Sequence, residues 1–265
     1  MQLHGVRALL TGAAGGIGSA VAERMARKGA ILALVGRQDT TLDPVVERIR
    51  AAGGVAHGFA ADLSDRSARE QIIDTARARI GGIDMLVNCA GAMSFGPLED
   101  EDPVLIDRVV HMNLVVPMLL ARQVLPEMLE RGDGRIVNIG STFGSIGFAW
   151  FAAYSASKFG LRGFSEALRR ELDGSGVGVT YVAPRAVRTK FNSEAVYRMA
   201  QATQMQMDEP EWVAQHIIAA IEQDAKDVYL GFPEKLFARL NGLLPRLIDG
   251  GLRRQTRVMA PFARG

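Results

Sequence analysis

Short, nearly continuous apolar runs alternate along this chain with longer stretches in which apolar residues recur every three or four positions. The runs VRALL (6–10), ILALVG (31–36), VAHGFA (55–60), IDMLVN (83–88), RIVNIG (135–140), VGVTYVAP (177–184) and DVYLG (227–231) predict strands. Helical periods fall near 16–28, 40–52, 65–80, 101–130, 152–174 and 208–223. Strands separated by helices of that length need crossover connections, so the sheet is expected to be parallel. Several runs are apolar almost throughout, which fits burial on both faces; burial on one face would give alternation. The expected fold class is α/β: a doubly wound, seven-stranded, mostly parallel sheet with helices on both faces.

Past the last strand the pattern changes. Leu236, Phe237, Leu240, Leu243, Leu244, Leu247 and Ile248 recur at helical spacing, with Pro245 expected to kink or divide the helix. From 235 to 257, six basic residues (Lys235, Arg239, Arg246, Arg253, Arg254, Arg257) stand against one acid, Asp249. The expected organisation is an α/β unit over 1–232 and a C-terminal amphipathic, basic helical extension over 233–265. An apolar stripe with basic flanks suits the interface of a membrane, a second subunit, or the roof of the protein's own pocket.

Composition narrows the function classes. At 265 residues and 48% hydrophobic, the chain is long enough for a well-buried core, and its net charge of +2 gives no nucleic-acid footprint. The one cysteine, Cys89, allows no internal disulfide and fits a reducing compartment. His4, His57, His111 and His216 are scattered, so no metal site is expected. The N-terminus shows no signal-peptide pattern, and no apolar run of spanning length is evident. The expected location is cytoplasmic, or peripheral to the inner face of a membrane through the extension.

The first strand leads into "LLTGAAGGIGSAVAERMARKG", a strand, glycine loop and helix. Gly12, Gly16 and Gly18 follow a G-x-x-x-G-x-G spacing, a variant of the dinucleotide fingerprint. Glycines let the backbone approach a pyrophosphate, and helix N-terminal amides meet its charge. The second strand ends "LVGRQDT". An acidic residue there would bind the ribose 2′-hydroxyl of NAD, whereas Arg37 suits a 2′-phosphate, so NADP(H) is favoured over NAD(H). Arg37 as a plain exposed loop residue, with Asp39 competing for the ribose, is the alternative. Further on, "YSASKFGLRG" places Tyr154 and Lys158 at i and i+4, on one helix face.

In order and spacing these residues resemble the short-chain dehydrogenase/reductase family, in its common single-domain, Rossmann-type branch. The matching stretches are TGAAGGIG (11–18), Asp62-Leu63, NCAG (88–91), Asn113, Ser141, Tyr154 with Lys158, and Thr189, covering roughly residues 5 to 231. The resemblance implies a catalytic set of Asn113, Ser141, Tyr154 and Lys158. Tyr154 would transfer a proton, Lys158 would stabilise its anion and hold the nicotinamide ribose, Ser141 would position the carbonyl oxygen, and Asn113 would hold a water reaching Lys158. It also implies dinucleotide contacts from Gly12, Gly16, Ile17, Gly18, Arg37, Asp62, Leu63, Asn88, Ala90, Gly91, Tyr154, Lys158, Val187 and Thr189. Asp62 and Leu63 would meet the adenine, Asn88 would steady the sheet, and Val187 and Thr189 would meet the carboxamide. As structure alone, Asp62 is a cap for the next helix and Thr189 a loop-start hydroxyl.

The chain departs from the family where Pro184-Arg185 replaces the usual Pro-Gly, and where Cys89 replaces a second asparagine. Arg185, with Arg188, either grips an anionic substrate group or lies solvated. Phe143, Phe148, Trp150, Phe191, Tyr197, Met199 and Met205 fall in segments expected to line the pocket and suit an apolar substrate. The expected function is an NADP(H)-dependent oxidoreductase interconverting a carbonyl and a secondary alcohol on a lipid- or steroid-like small molecule. Two alternatives stand beside it: a 3-oxoacyl thioester reductase, and a non-catalytic dinucleotide-binding scaffold or sensor. The resemblance further implies a homodimer or homotetramer.

Overall fold

The computed structural model describes residues 1–264, without the side chains of Glu234 and Leu247. Seven strands form one sheet: β1 (Arg7–Thr11), β2 (Ile31–Gly36), β3 (Val55–Ala60), β4 (Met85–Asn88), β5 (Gly134–Ile139), β6 (Val177–Ala183) and β7 (Asp227–Tyr229). Their order is β3-β2-β1-β4-β5-β6-β7, and every pairing is parallel, as the crossover argument requires. The connecting helices are α1 (Gly16–Arg27), α2 (Asp39–Ala51), α3 (Arg66–Ile80), α4 (Pro103–Val110), α5 (Val116–Arg131), α6 (Ala152–Glu171), α7 (Glu194–Ala202) and α8 (Pro210–Glu222). Chain order reverses between β1 and β4, so a crevice opens at the carboxyl ends of these two strands.

Two apolar layers sandwich the sheet. Val21, Met25, Leu42 and Ile217 pack on one face, and Ile73, Leu120, Val124 and Leu168 on the other. The buried strands carry apolar residues to both layers, which explains their unbroken apolarity. Local signals set the helix ends: Asp65 accepts from the Ala68 amide at the start of α3, and Gly81 closes it at φ +80°.

The structure corrects several expected boundaries. The single helix expected near 101–130 is interrupted: α4 and α5 are joined by a π-helical turn, His111–Val115. The whole segment 103–131 is nevertheless long and apolar enough to cross a membrane, contrary to the expectation from apolar runs. Here it serves as a sheet-covering helix, with Val116, Leu120, Val124 and Met128 fully enclosed. Helix α7 was not expected. It is short and begins where Ser193 accepts from the Val196 amide.

Pro245 divides the C-terminal helical pattern into α9 (Glu234–Leu243) and α10 (Pro245–Ala263). Leu247 belongs to the expected stripe, but its side chain lies outside the described residues. Both helices pack on the body, through Ala238, Ile248 and Met259.

Candidate active site

The crevice between β1 and β4 is the floor of a cleft of about 960 Å³, part of it open to solvent. Its walls join the loop after β1, the end of β5, the start of α6 and the loop after β6.

The glycine loop is shaped by close backbone contacts. Gly12 has φ +70°, and a Cβ there would lie 2.7 Å from the Ala90 nitrogen; one on Gly18 would lie 2.2 Å from the Gly12 oxygen. A Cβ on Gly16 would reach within 2.5 Å of Thr189, so the loop after β6 closes directly over the start of α1. Helix α1 has no side-chain cap and no acid in its first turn, leaving its N-terminal end suited to a negative ligand. Ile17 and Gly91 line the same cleft. Behind it, Thr11 Oγ1 accepts from the amides of Cys89 and Ala90, each at 3.2 Å. Buried Asn88 donates to Asn138 Oδ1 at 2.9 Å, tying β4 to β5.

Arg37 is exposed in the loop after β2, and Asp39 begins α2. Asp62, on the next loop, accepts from the amide and hydroxyl of Ser64 at 2.9 and 2.7 Å, and these bonds hold its carboxyl below the usual range. It therefore shapes a turn, while Asp65 caps α3. Leu63 is buried beside it. Val187, in the loop after β6, accepts at its carbonyl from Asn192 at 2.7 Å, and the Thr189 carbonyl accepts from the Tyr197 hydroxyl at 2.9 Å.

Ser141, Tyr154 and Lys158 converge on the middle of the cleft. Lys158 Nζ donates to the Ile139 carbonyl at 2.9 Å and stands 5.8 Å from the Tyr154 ring centre. Both side chains are buried. Burial pushes the Tyr154 phenol up to about 12, partly offset by a hydrogen bond to Ser141. Burial likewise pulls the Lys158 ammonium down to about 8. In the free protein the i, i+4 pair thus leaves Tyr154 protonated. Cys89, partly exposed in the cleft wall, has its thiol pushed up to about 11 by apolar surroundings.

Asn113 lies in the π-helical turn and is fully buried. Its side chain accepts from the Ala92 amide and donates to the Ala92 carbonyl, both at 2.8 Å, and donates to Ser157 Oγ at 2.9 Å. Both amide protons are used, so the side chain holds the β4 loop against α6 and retains only acceptor capacity for a water.

Past Tyr154 the cleft becomes apolar. Phe143, Phe191, Met199 and Met205 line it as expected, together with Met93 and Phe151. Phe148 stacks behind Phe143 at 4.4 Å, Trp150 donates to the Thr256 carbonyl of α10 at 3.3 Å, and Tyr197 is engaged with Thr189, so these three support the wall. Met259 and Phe262 of α10 join the same apolar cluster. Arg185 meets neither expectation. Its guanidinium holds Asp208 through Nε at 3.0 Å and Nη2 at 2.7 Å, and Gln206 through Nη1 at 2.9 Å. Arg188 pairs with Glu209 at 2.9 Å.

Comparison with known proteins agrees with this geometry. The family model for short chain dehydrogenases matches residues 7–200. The chain belongs to that family. Short-chain dehydrogenases similar to it include ketoacyl reductase HetN of Nostoc sp., 34% identical over 226 residues that cover 85% of this chain and 78% of that protein. A metagenomic short-chain oxidoreductase solved with NADP is 34% identical, with a TM-score of 0.75 over 87% of this chain and 98% of that one. One from Burkholderia phymatum, solved with NAD, shares the fold at a TM-score of 0.85 over 94% of this chain and 96% of that one, with 24% identity. The chain spans between 18% and 78% of the length of such curated relatives.

Some residues of this short-chain dehydrogenase site were missed from sequence. Tyr181, buried in β6, meets both the amide and the carbonyl of Ser141, at 3.4 and 3.3 Å. A Cβ on Gly140 would collide with its ring, so that glycine is required for the contact. Ser157 joins Asn113 to the Tyr154 carbonyl. Only the Ser157 contact had a local signal, because it lies one turn from Tyr154.

Proposed function

We propose that this chain is an NADP(H)-dependent oxidoreductase that interconverts a carbonyl and a secondary alcohol on an apolar small molecule. The observation that carries the reading is the placement of Ser141, Tyr154 and Lys158 between a glycine-built, uncapped helix start and a wall of Phe143, Phe191, Met199 and Met205. The site fits a dinucleotide because the start of α1 offers free amides without a nearby acid, and a Cβ on Gly16 or Gly18 would leave no room there. Gly12, Gly16, Ile17 and Gly18 would hold the pyrophosphate. Arg37 would take a 2′-phosphate, Asp62 and Leu63 would flank the adenine, and Val187 and Thr189 would lie beside the nicotinamide. When bound, the dinucleotide supplies the hydride.

The chain's own residues do the rest. Ser141 holds the substrate oxygen, and its position is set by Tyr181 and by its own acceptance from the Phe143 amide at 3.1 Å. Tyr154, protonated at neutral pH, donates to that oxygen as negative charge develops on it. Lys158 then faces the resulting phenolate and stabilises it. The free protein is therefore loaded for reduction, whereas oxidation requires the phenol to ionise first. The exposed Val104, Met118 and Leu129 of α4 and α5, with Phe159 of α6, suit pairing into a homodimer or homotetramer.

The likeness to a ketoacyl reductase favours a second reading, reduction of 3-oxoacyl thioesters. Titration with NADPH and NADH by nicotinamide fluorescence, followed by NADPH-dependent reduction of apolar ketones and 3-oxoacyl thioesters, tests both. Turnover of ketones supports the first reading, and turnover confined to thioesters replaces it with the second. Binding of neither dinucleotide overturns the enzyme reading, and binding without turnover of either substrate class favours a dinucleotide-binding scaffold.

A further inference from the structure

Helix α9 docks with its small side inward. Ala238 is buried, and Asn241 Nδ2 donates to the Ser145 carbonyl at 2.8 Å. At 100° per residue, Leu236, Phe237, Leu240, Leu243 and Leu244 fall within an arc of about 120°, roughly opposite Ala238. Four of these large side chains are exposed, Leu243 to 79%, while Leu240 packs partly buried on the cluster of Ile146, Ala238 and Ile248; Phe232 just before the helix is 77% exposed. A helix that merely covered a core would turn this stripe inward.

Helix α10 presents a complementary face. Ile248, Leu252 and Met259 point to the body, while Arg246, Arg253, Arg254 and Arg257 are all exposed within about 100° of arc on the far side. Lys235 and Arg239 flank the stripe of α9 and are also exposed. Among the described residues none of these six cations takes part in an ion pair, and Asp249 is the only acid between 235 and 257. An exposed apolar ridge thus lies beside an uncompensated cationic one.

We infer that this face docks on a bilayer containing anionic lipid, with the stripe of α9 entering the acyl boundary and the arginines of α10 meeting headgroup phosphates. Charge selects this occupant over a second copy of the chain. A two-fold contact would bring the same arginines face to face. Shape selects it over an acidic protein: a convex ridge with Phe232 and Leu243 protruding needs a matching groove on a protein partner, but none on a fluid apolar layer. The opposite side of α10 packs into the cluster that contains Tyr154, so the docking face and the apolar end of the cleft share one helix.

Vesicle flotation of the full chain tests this independently of dinucleotide binding or turnover. The wild type should float with vesicles of equal parts phosphatidylcholine and phosphatidylglycerol, far less with phosphatidylcholine alone, and less as salt rises. Leu243→Ser with Leu244→Ser, and separately Arg246, Arg253, Arg254 and Arg257→Gln, should each lower the partition coefficient more than about tenfold. Both variants should keep the wild-type melting temperature, since the altered side chains are exposed. A wild type that stays with the soluble fraction, or binds both vesicle types equally and without salt dependence, overturns the proposal. Vesicle binding unchanged in folded variants does the same. Self-association lost in Leu243→Ser, without vesicle binding, would assign the face to a second copy; capture of acidic proteins without vesicle binding would assign it to such a partner.

Discussion

Arg185 and Asp208 form a two-pronged ion pair, Nε to Oδ2 at 3.0 Å and Nη2 to Oδ1 at 2.7 Å, with both side chains mostly enclosed. The pair fastens the loop after β6 to the segment before α8, next to the parallel bridge between Val187 and Asp208. Arginine in place of glycine thus serves the geometry of the cleft wall. A double-mutant cycle with Arg185→Ala and Asp208→Ala, read by denaturant unfolding, should give a coupling of about 1–3 kcal/mol. Additive single effects would show that the pair does not hold the loop.

Tyr154→Phe removes the proton and leaves the ring packing against Phe143 intact. Turnover should fall by about 10²–10⁴-fold while NADPH affinity stays within a few-fold of wild type. Ser141→Ala should lower turnover by about 10²–10³-fold. A Tyr154→Phe enzyme that keeps its rate would move the proton donor elsewhere.

Arg37 is exposed after β2 and forms no ion pair among the described residues, so its contribution should appear only with a phosphorylated ribose. Arg37→Asp should weaken NADPH by about 10–100-fold and leave NADH unchanged or tighter. Equal loss of both dinucleotides would show that Arg37 supports the loop and does not read the phosphate.

Lys158 is a buried amine whose pKa falls from 10.5 to about 8 on folding. Below about pH 8 the fold carries the charged form at full cost, about 3 kcal/mol for that shift. Between about pH 8 and 10.5 the unfolded chain binds the extra proton, so this cost fades as pH rises. Without dinucleotide, Lys158→Met should therefore be inactive yet more stable than wild type at pH 7 by about 1–3 kcal/mol, and should lose that advantage by about pH 10.5. A stability difference that stays constant with pH would contradict the buried, charge-disfavouring site.

The parts of the site legible in sequence are those with a local spacing. The glycine loop, the one-turn offset of Tyr154 and Lys158, and the apolar runs of β1, β2, β4 and β5 each reflect a period of one secondary structure, so order and spacing suffice to find them. Helix α7 escaped because nine residues between two loops give too short a period. The π-helical turn escaped because its one-residue shift leaves the apolar pattern of α4 and α5 almost unchanged.

By itself, then, the amino-acid sequence determined the doubly wound parallel sheet, because strands buried on two faces must be apolar throughout and crossovers must be helical. It also placed the fingerprint and the Tyr154/Lys158 pair within single elements. Tertiary structure decided what depends on distant parts of the chain. Asp208 meets Arg185 across 23 residues, Tyr181 holds Ser141 across 40, and burial raises the Tyr154 pKa. It also decided which way the stripe of α9 faces. Periodicity shows that a helix has an apolar side, but only the shape of the surface beneath it, which accepts Ala238 and Asn241, selects the side that docks.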